Sequence, residues 1–347
     1  MILWYLLILI LSLVNVRFCK NGFFPDYLGK EQSNAIKGVF ILLVFLGHAL
    51  IDLKHCGFSF DQKMDLYAWS IHLEMGQLVV AMFLFYSGYG VMKSLMVRGN
   101  SYFERYPKHR LLSTLLNFDV AVCFFMLLAL IMGERLSFSR ILLSFIGWQS
   151  VGNSNWYIFV ILCCYLAFYL VFKVVGNRYG LGIVLLSLIT LGGMMVLYEF
   201  KPPHWYNTML VFPCGCAYAT YSEKLEQCIQ KRYGLVIALL IVAFLSLHFL
   251  MKMHPLHGLT FNVKSIVFAL LTVALTMKVQ IGNRWILWCG FSLFPLYIYQ
   301  RLPMNAIQNC VGDNMVSAYP NLFICVCFFV TLGIALLYNK YLKIDLA

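Results

Sequence analysis

The chain has 347 residues, of which 62% are hydrophobic and 12% charged, and its mean hydropathy is +0.80. A soluble domain carries about twice that charged fraction, so composition excludes an ordinary globular enzyme and points to an all-α, polytopic membrane helix bundle. The net charge of +12 does not indicate a nucleic-acid partner. The basic residues are spread over connectors between apolar runs, not gathered on one face.

In chain order, residues 1–18 are apolar, with neither a basic leader region nor a small-x-small cleavage pattern. They read as an extra first helix with its N-terminus outside, not as a signal peptide. Residues 19–32 form a polar connector. Further spans are expected at 35–53, 77–96, 111–132, 155–175, 180–198, 206–221, 233–251, 263–280, 285–303 and 319–339, each near the length a bilayer demands. This gives 10–11 transmembrane helices. The short apolar piece 139–149 is expected to lie at the interface or to re-enter. Three units follow: an N-terminal helix and connector (1–33), a membrane domain (34–340) and a short tail (341–347). Most of the 26 Lys and Arg residues fall on alternate connectors, including the run Lys93, Arg98, Arg105, Lys108 and Arg110. By the positive-inside rule that side is cytoplasmic.

The stretch 34–53, NAIKGVFILLVFLGHALIDL, holds an ionisable residue deep in an apolar run. Such a residue is costly to bury and marks a functional hypothesis. Lys37 and His48 are eleven residues apart, about three turns and about 16 Å along one helix face. Asp52 follows His48 at i+4, on the same face, where a carboxylate can orient an imidazole. Blander roles compete on this stretch alone. A membrane histidine also serves to hydrogen-bond a neighbouring helix, and Lys37 to anchor the helix at the surface.

The twelve cysteines show no disulfide or zinc grammar. Most lie inside apolar runs, where a thiol acts as a small hydrophobe, and Cys214 with Cys216 or Cys325 with Cys327 are too closely spaced for the usual zinc motif. Cys56 and Cys310 both fall on the outer side, without a pattern that pairs them. His254 and His257 form a weak metal motif; no metal site is expected.

Several motifs in series carry a resemblance. KGVFILLVFLGH resembles the first helix of the acyltransferase 3 family, integral-membrane O-acyltransferases of sugars and lipids. In that family a basic residue, commonly arginine, precedes a histidine by eleven positions, as Lys37 precedes His48. MFLFYSGYGVM (82–92) is similar to the FF-x-x-SG pattern of the second helix, with Phe83, Phe85, Ser87, Gly88 and Tyr89 in place. NWYIFVILCCYLAFYL resembles the tryptophan-led helix, and TMLVFPCGCAYATYSEKLE the phenylalanine–glycine helix. FSLFPLYIYQRLPM resembles S-…-Y-x-x-H-x-x-P, with Gln300 where histidine is often found. A second catalytic histidine is therefore not assumed.

The resemblance implies transfer of an acyl group, most often acetyl, from cytoplasmic acyl-CoA to a carbohydrate hydroxyl. It further implies a membrane lipid environment, acetyl-CoA as co-substrate, no bound cofactor, and a bacterial cytoplasmic membrane. Lys37, Lys93, Arg98, Arg105 and Arg110 are the expected acyl-CoA-binding residues. His48 is the expected general base, with Asp52, Asp65 or Glu74 fixing its tautomer. Ser87, Tyr89, Trp156, Tyr157, Tyr297 and Gln300 are the expected acceptor or cavity residues. For Ser87 with Gly88, close helix packing is the alternative; for Trp156 and Tyr157, it is an interfacial aromatic belt. A transporter of a glycan or small molecule, and a catalytically silent relative, are the competing classes.

Overall fold

The computed structural model describes residues 1–253 and 258–346; His254 and His257 lie outside the described residues. The chain is a helix bundle: α1 (Ile2–Leu13), α2 (Lys30–His55), α3 (Lys63–Arg98), α4 (Asn100–Tyr106), α5 (Ser113–Ile131), α6 (Phe138–Phe145), α7 (Trp156–Val175), α8 (Tyr179–Phe200), α9 (Val211–Lys231), α10 (Tyr233–Met253), α11 (Leu259–Thr276), α12 (Arg284–Phe291), α13 (Leu293–Tyr299), α14 (Arg301–Val311), α15 (Asp313–Ala318) and α16 (Pro320–Leu337). Only Arg17–Phe18 and Val279–Gln280 pair as strands, antiparallel, among the described residues.

Eight helices among the described residues are long and apolar enough to cross a membrane. The remaining segments expected to span take other forms. Within 1–18, α1 stops after 12 residues, about 18 Å. The 206–221 segment becomes α9, whose second half is charged and polar. The 285–303 segment is broken into α12, α13 and the start of α14. The breaks follow from proline, whose ring meets the carbonyl four residues back and lacks an N–H. Pro295 faces the Phe291 position, where α12 ends, and Pro303 faces Tyr299, where α13 ends. The 139–149 piece is the short amphipathic α6, with Phe138 and Leu142 exposed.

At the centre, α2 and α3 lie side by side. Helix α9 packs closely on α3, and α12 on α2. Glycines permit both approaches, because helix backbones meet only where no Cβ intervenes. A Cβ at Gly88 would stand 2.1 Å from the Phe212 carbonyl oxygen, and one at Gly215 2.2 Å from that of Phe85. On the other pair, a Cβ at Gly38 would be 1.9 Å from the Ile286 oxygen, and one at Gly290 1.7 Å from that of Asn34. Both central helices are thereby fixed in rotation as well as position, which determines the faces they turn inward. By contrast α10 has no buried residue and lies on the periphery, as its uniform hydrophobicity suits for contact with lipid.

Candidate functional site

Two cavities open at opposite ends of one stripe on α2. Lys30, Ser33, Asn34 and Lys37 line the first, of 570 Å³. Val44, Gly47, His48 and Ile51 line the second, of 500 Å³. These positions recur every three or four residues, so a single helix face serves both. On α3 the same holds: Tyr86, Ser87, Gly90, Lys93 and Ser94 border the first cavity, and His72, Gly76, Gln77 and Val80 the second.

The first cavity is basic. Lys30, Lys37, Lys93, Arg98 and Arg110 line it, and no carboxylate among the described residues does. Lys37 Nζ donates to Asn34 Oδ1 at 3.3 Å and sits 5.3 Å from the centre of the Tyr86 ring, a cation–π distance. Arg110 arrives from the other side on a π-helical turn, Pro107–Leu112, that joins α4 to α5. Pro107 cannot donate to the helical ladder, and the wider turn re-aims the side chains after it. Arg98 and Arg110 also border an adjoining cleft of 420 Å³ that contains Arg105 and His109. Of the expected acyl-CoA residues, Lys37, Lys93, Arg98 and Arg110 therefore meet in one cavity, and Arg105 lies in its extension.

The second cavity carries histidines. His48 meets His72 from α3 and His204 from the short turn Pro203–Trp205, together with Gln77, Arg301 and the connector residues Ser150, Asn153, Ser154 and Asn155. No carboxylate among the described residues lines it. His48 Nδ1 is buried and has no hydrogen-bond partner among the described residues. Arg301, His72 and His204 are the chargeable groups among the described residues that share its cavity. Gly47 provides room for His72, since a Cβ there would fall 2.8 Å from His72 Nδ1. Trp156 packs edge-on against His204, with ring centres 5.6 Å apart. Burial lowers the His204 pKa below the ordinary imidazole value, favouring its neutral form.

Asp52 and His48 share no hydrogen bond: His48 Nδ1 and Asp52 Oδ2 are both without a partner among the described residues. Asp52 Oδ1 accepts from Arg301 Nη2 at 2.8 Å, within a nearly fully buried setting. The other two carboxylates expected near His48 are also engaged elsewhere. Asp65 pairs with the amino group of Met1. Glu74 pairs with His248 at 3.0 Å and Lys264 at 3.5 Å. Arg301 thus joins α14 to α2 beside the histidine cavity.

A layer of aromatic side chains separates the cavities. Phe83 of α3 meets Tyr157 of α7 at 6.1 Å, and Tyr157 meets Tyr297 of α13 at 5.4 Å. Tyr297 borders the histidine cavity and Tyr86 the basic one, and both hydroxyls are buried without partners among the described residues. The expected acceptor residues are consequently divided. Trp156 and Tyr297 line the histidine cavity, Tyr157 belongs to the layer, and Ser87 and Tyr89 line the basic cavity. Gln300 lines neither; it is fully buried and its amide donates to the Tyr297 carbonyl at 2.8 Å.

His72 and His204 are absent from the sequence-based expectation. A second span beginning at 77 leaves His72 in a loop, whereas α3 begins at Lys63 and carries it on the inward face. The four-residue spacing of His72, Gly76 and Val80 is the signal that would place it there.

Fold and site together define a polytopic membrane protein with a cation-lined cavity and a histidine-lined cavity arranged along one central helix. The family model described as an acyltransferase domain, that of the acyltransferase 3 family, matches residues 31–339. The chain belongs to that family and is accordingly an integral-membrane acyltransferase by class. No curated protein and no solved structure matches it.

Proposed function

We propose that the protein transfers an acetyl group from cytoplasmic acetyl-CoA to a hydroxyl of a cell-envelope or exported polysaccharide, or of its lipid-linked precursor, in a bacterial cytoplasmic membrane. The observation that carries this reading is the pair of cavities on one face of α2, one with five cations and no carboxylate, the other with His48. Coenzyme A has phosphates at one end and its thioester at the end of a long flexible arm. The basic cavity suits the phosphates. The roughly 16 Å from Lys37 to His48 is a distance that the arm can bridge. On this reading the unpartnered hydroxyls of Tyr86 and Tyr297 hydrogen-bond the amides of the arm as it passes the aromatic layer, which relieves the cost of leaving them unpaired.

At the histidine cavity, the acceptor oxygen attacks the thioester carbonyl while the His48 imidazole takes its proton. The tetrahedral intermediate collapses, the C–S bond breaks, and the thiolate recovers the proton from the imidazolium. The products are the acetyl ester and free coenzyme A. Asp52 acts through Arg301: by pairing with the guanidinium it keeps an uncompensated positive charge from facing the imidazolium as it forms.

Membranes containing the protein, given radiolabelled acetyl-CoA, test this reading. Label should enter the envelope glycan fraction and should not do so with His48→Ala at equal protein level. Equal labelling by both proteins would remove His48 from the chemistry.

A further inference from the structure

A cavity of 230 Å³ adjoins the histidine cavity but lies off the path from the basic one. The connector after α6 borders both: Ser150 and Asn153 line the histidine cavity, and Val151 and Gly152 line the adjoining one. Helix α14 does the same from the other side. Arg301 lines the histidine cavity, and Asn305 and Asn309 line its neighbour. These three residues are spaced by four, a straight polar row with steps of about 6 Å.

The groups in this cavity are the kind that recognise a sugar ring. Glu134 and Arg140 form an ion pair at 3.5 Å, and Arg140 Nε donates to the Ser150 carbonyl at 3.0 Å. Asn305 Nδ2 donates to the Gly152 carbonyl at 3.1 Å, and Asn309 Nδ2 to the Asn305 carbonyl at 2.9 Å. Those bonds fix both amides, and no donor among the described residues reaches either amide oxygen. Planar amide, carboxylate and guanidinium groups pair well with adjacent hydroxyls. Leu128 and Met132 add an apolar surface for the C–H face of a ring.

We infer that this cavity binds the neighbouring sugar residue of an oligosaccharide or polysaccharide acceptor whose reacting hydroxyl lies at His48. The inference rests on the proposed function. It adds that the acceptor is at least two sugar units long, running along α14 from Arg301 to Asn309. A single sugar would occupy the histidine cavity alone.

The test uses membranes with the full chain, radiolabelled acetyl-CoA, and two acceptor preparations: the isolated envelope polysaccharide and the monosaccharides released from it by acid. Asn309 is exposed, so Asn309→Ala and Asn309→Trp alter the cavity mouth without touching packed side chains. Both should lower kcat/KM for the intact polymer about tenfold, chiefly through KM. Transfer to the monosaccharides and acceptor-free hydrolysis of acetyl-CoA should be unchanged. Unchanged transfer to the polymer would overturn the subsite while leaving the acyltransferase reading intact. Equal loss of all three activities would also overturn it. Absence of both transfer and hydrolysis in the unaltered protein would overturn the proposed function and this inference with it.

Discussion

Arg301 and Asp52 are 249 positions apart in the chain and 2.8 Å apart in the structure. This contact determines how α14 meets α2 at the histidine cavity. It also directs Asp52 Oδ1 to the guanidinium, where the i+4 spacing from His48 suggests the imidazole. Breaking a buried pair by deleting one partner leaves the other charge uncompensated, which costs about 3–5 kcal/mol in a dry site. The partly exposed Arg301 side chain places the effect at the lower end. Asp52→Asn and Arg301→Gln should each lower the Tm of the detergent-solubilised protein by several degrees, and the double variant should lose clearly less than the sum. Additive losses would mean that the two residues act independently.

The glycine pairs make a second prediction. Gly88→Ala and Gly38→Ala each bring a Cβ against a facing carbonyl oxygen, at 2.1 Å and 1.9 Å respectively. Backbone cannot swing aside as a side chain can, so the helices must separate, at a cost of about 1–3 kcal/mol or more. Both variants should fold poorly or melt early. Gly90→Ala, on the same helix with open space around its Cβ position, should be neutral. Equal tolerance of all three would contradict the close approach.

Acidification should weaken the outer part of the site through His204. Burial holds its folded-state pKa below the unfolded value of about 6.5. Between those two values the unfolded chain binds a proton that the folded chain does not, so stability falls as pH drops from about 6.5 and levels off below the folded pKa. Thermal melts from pH 7.5 to 5 should show this decline, and His204→Asn should make it shallower. A decline that persists unchanged in the variant would assign it to another group.

Much of this was legible in the sequence. The apolar runs announce the membrane bundle, and the eleven-residue interval between Lys37 and His48 places both residues on one helix face, each at a cavity. Periodicity suffices there because both residues belong to a single uninterrupted helix. It fails where a site is assembled across the chain. The Asp52–Arg301 contact depends on how α14 docks, which no local spacing encodes. Gln300 follows Tyr297 by three residues in the sequence, yet its side chain is buried and lines neither cavity. His72 was hidden for a simpler reason: α3 extends well beyond its apolar segment, and the polar N-terminal turns carry the cavity residue.

The claim that donor binding and chemistry occupy opposite ends of one face of α2 is tested most directly by measuring acetyl-CoA binding and acetyl transfer on the same purified proteins. On the proposed donor placement, Lys37→Gln removes a cation facing the phosphates, so acetyl-CoA should bind about tenfold more weakly, with transfer recovered at saturating donor. His48→Gln should bind acetyl-CoA as the unaltered protein does and transfer nothing. If His48→Gln still transfers, or if it abolishes binding while Lys37→Gln leaves binding untouched, the division of labour along α2 is wrong.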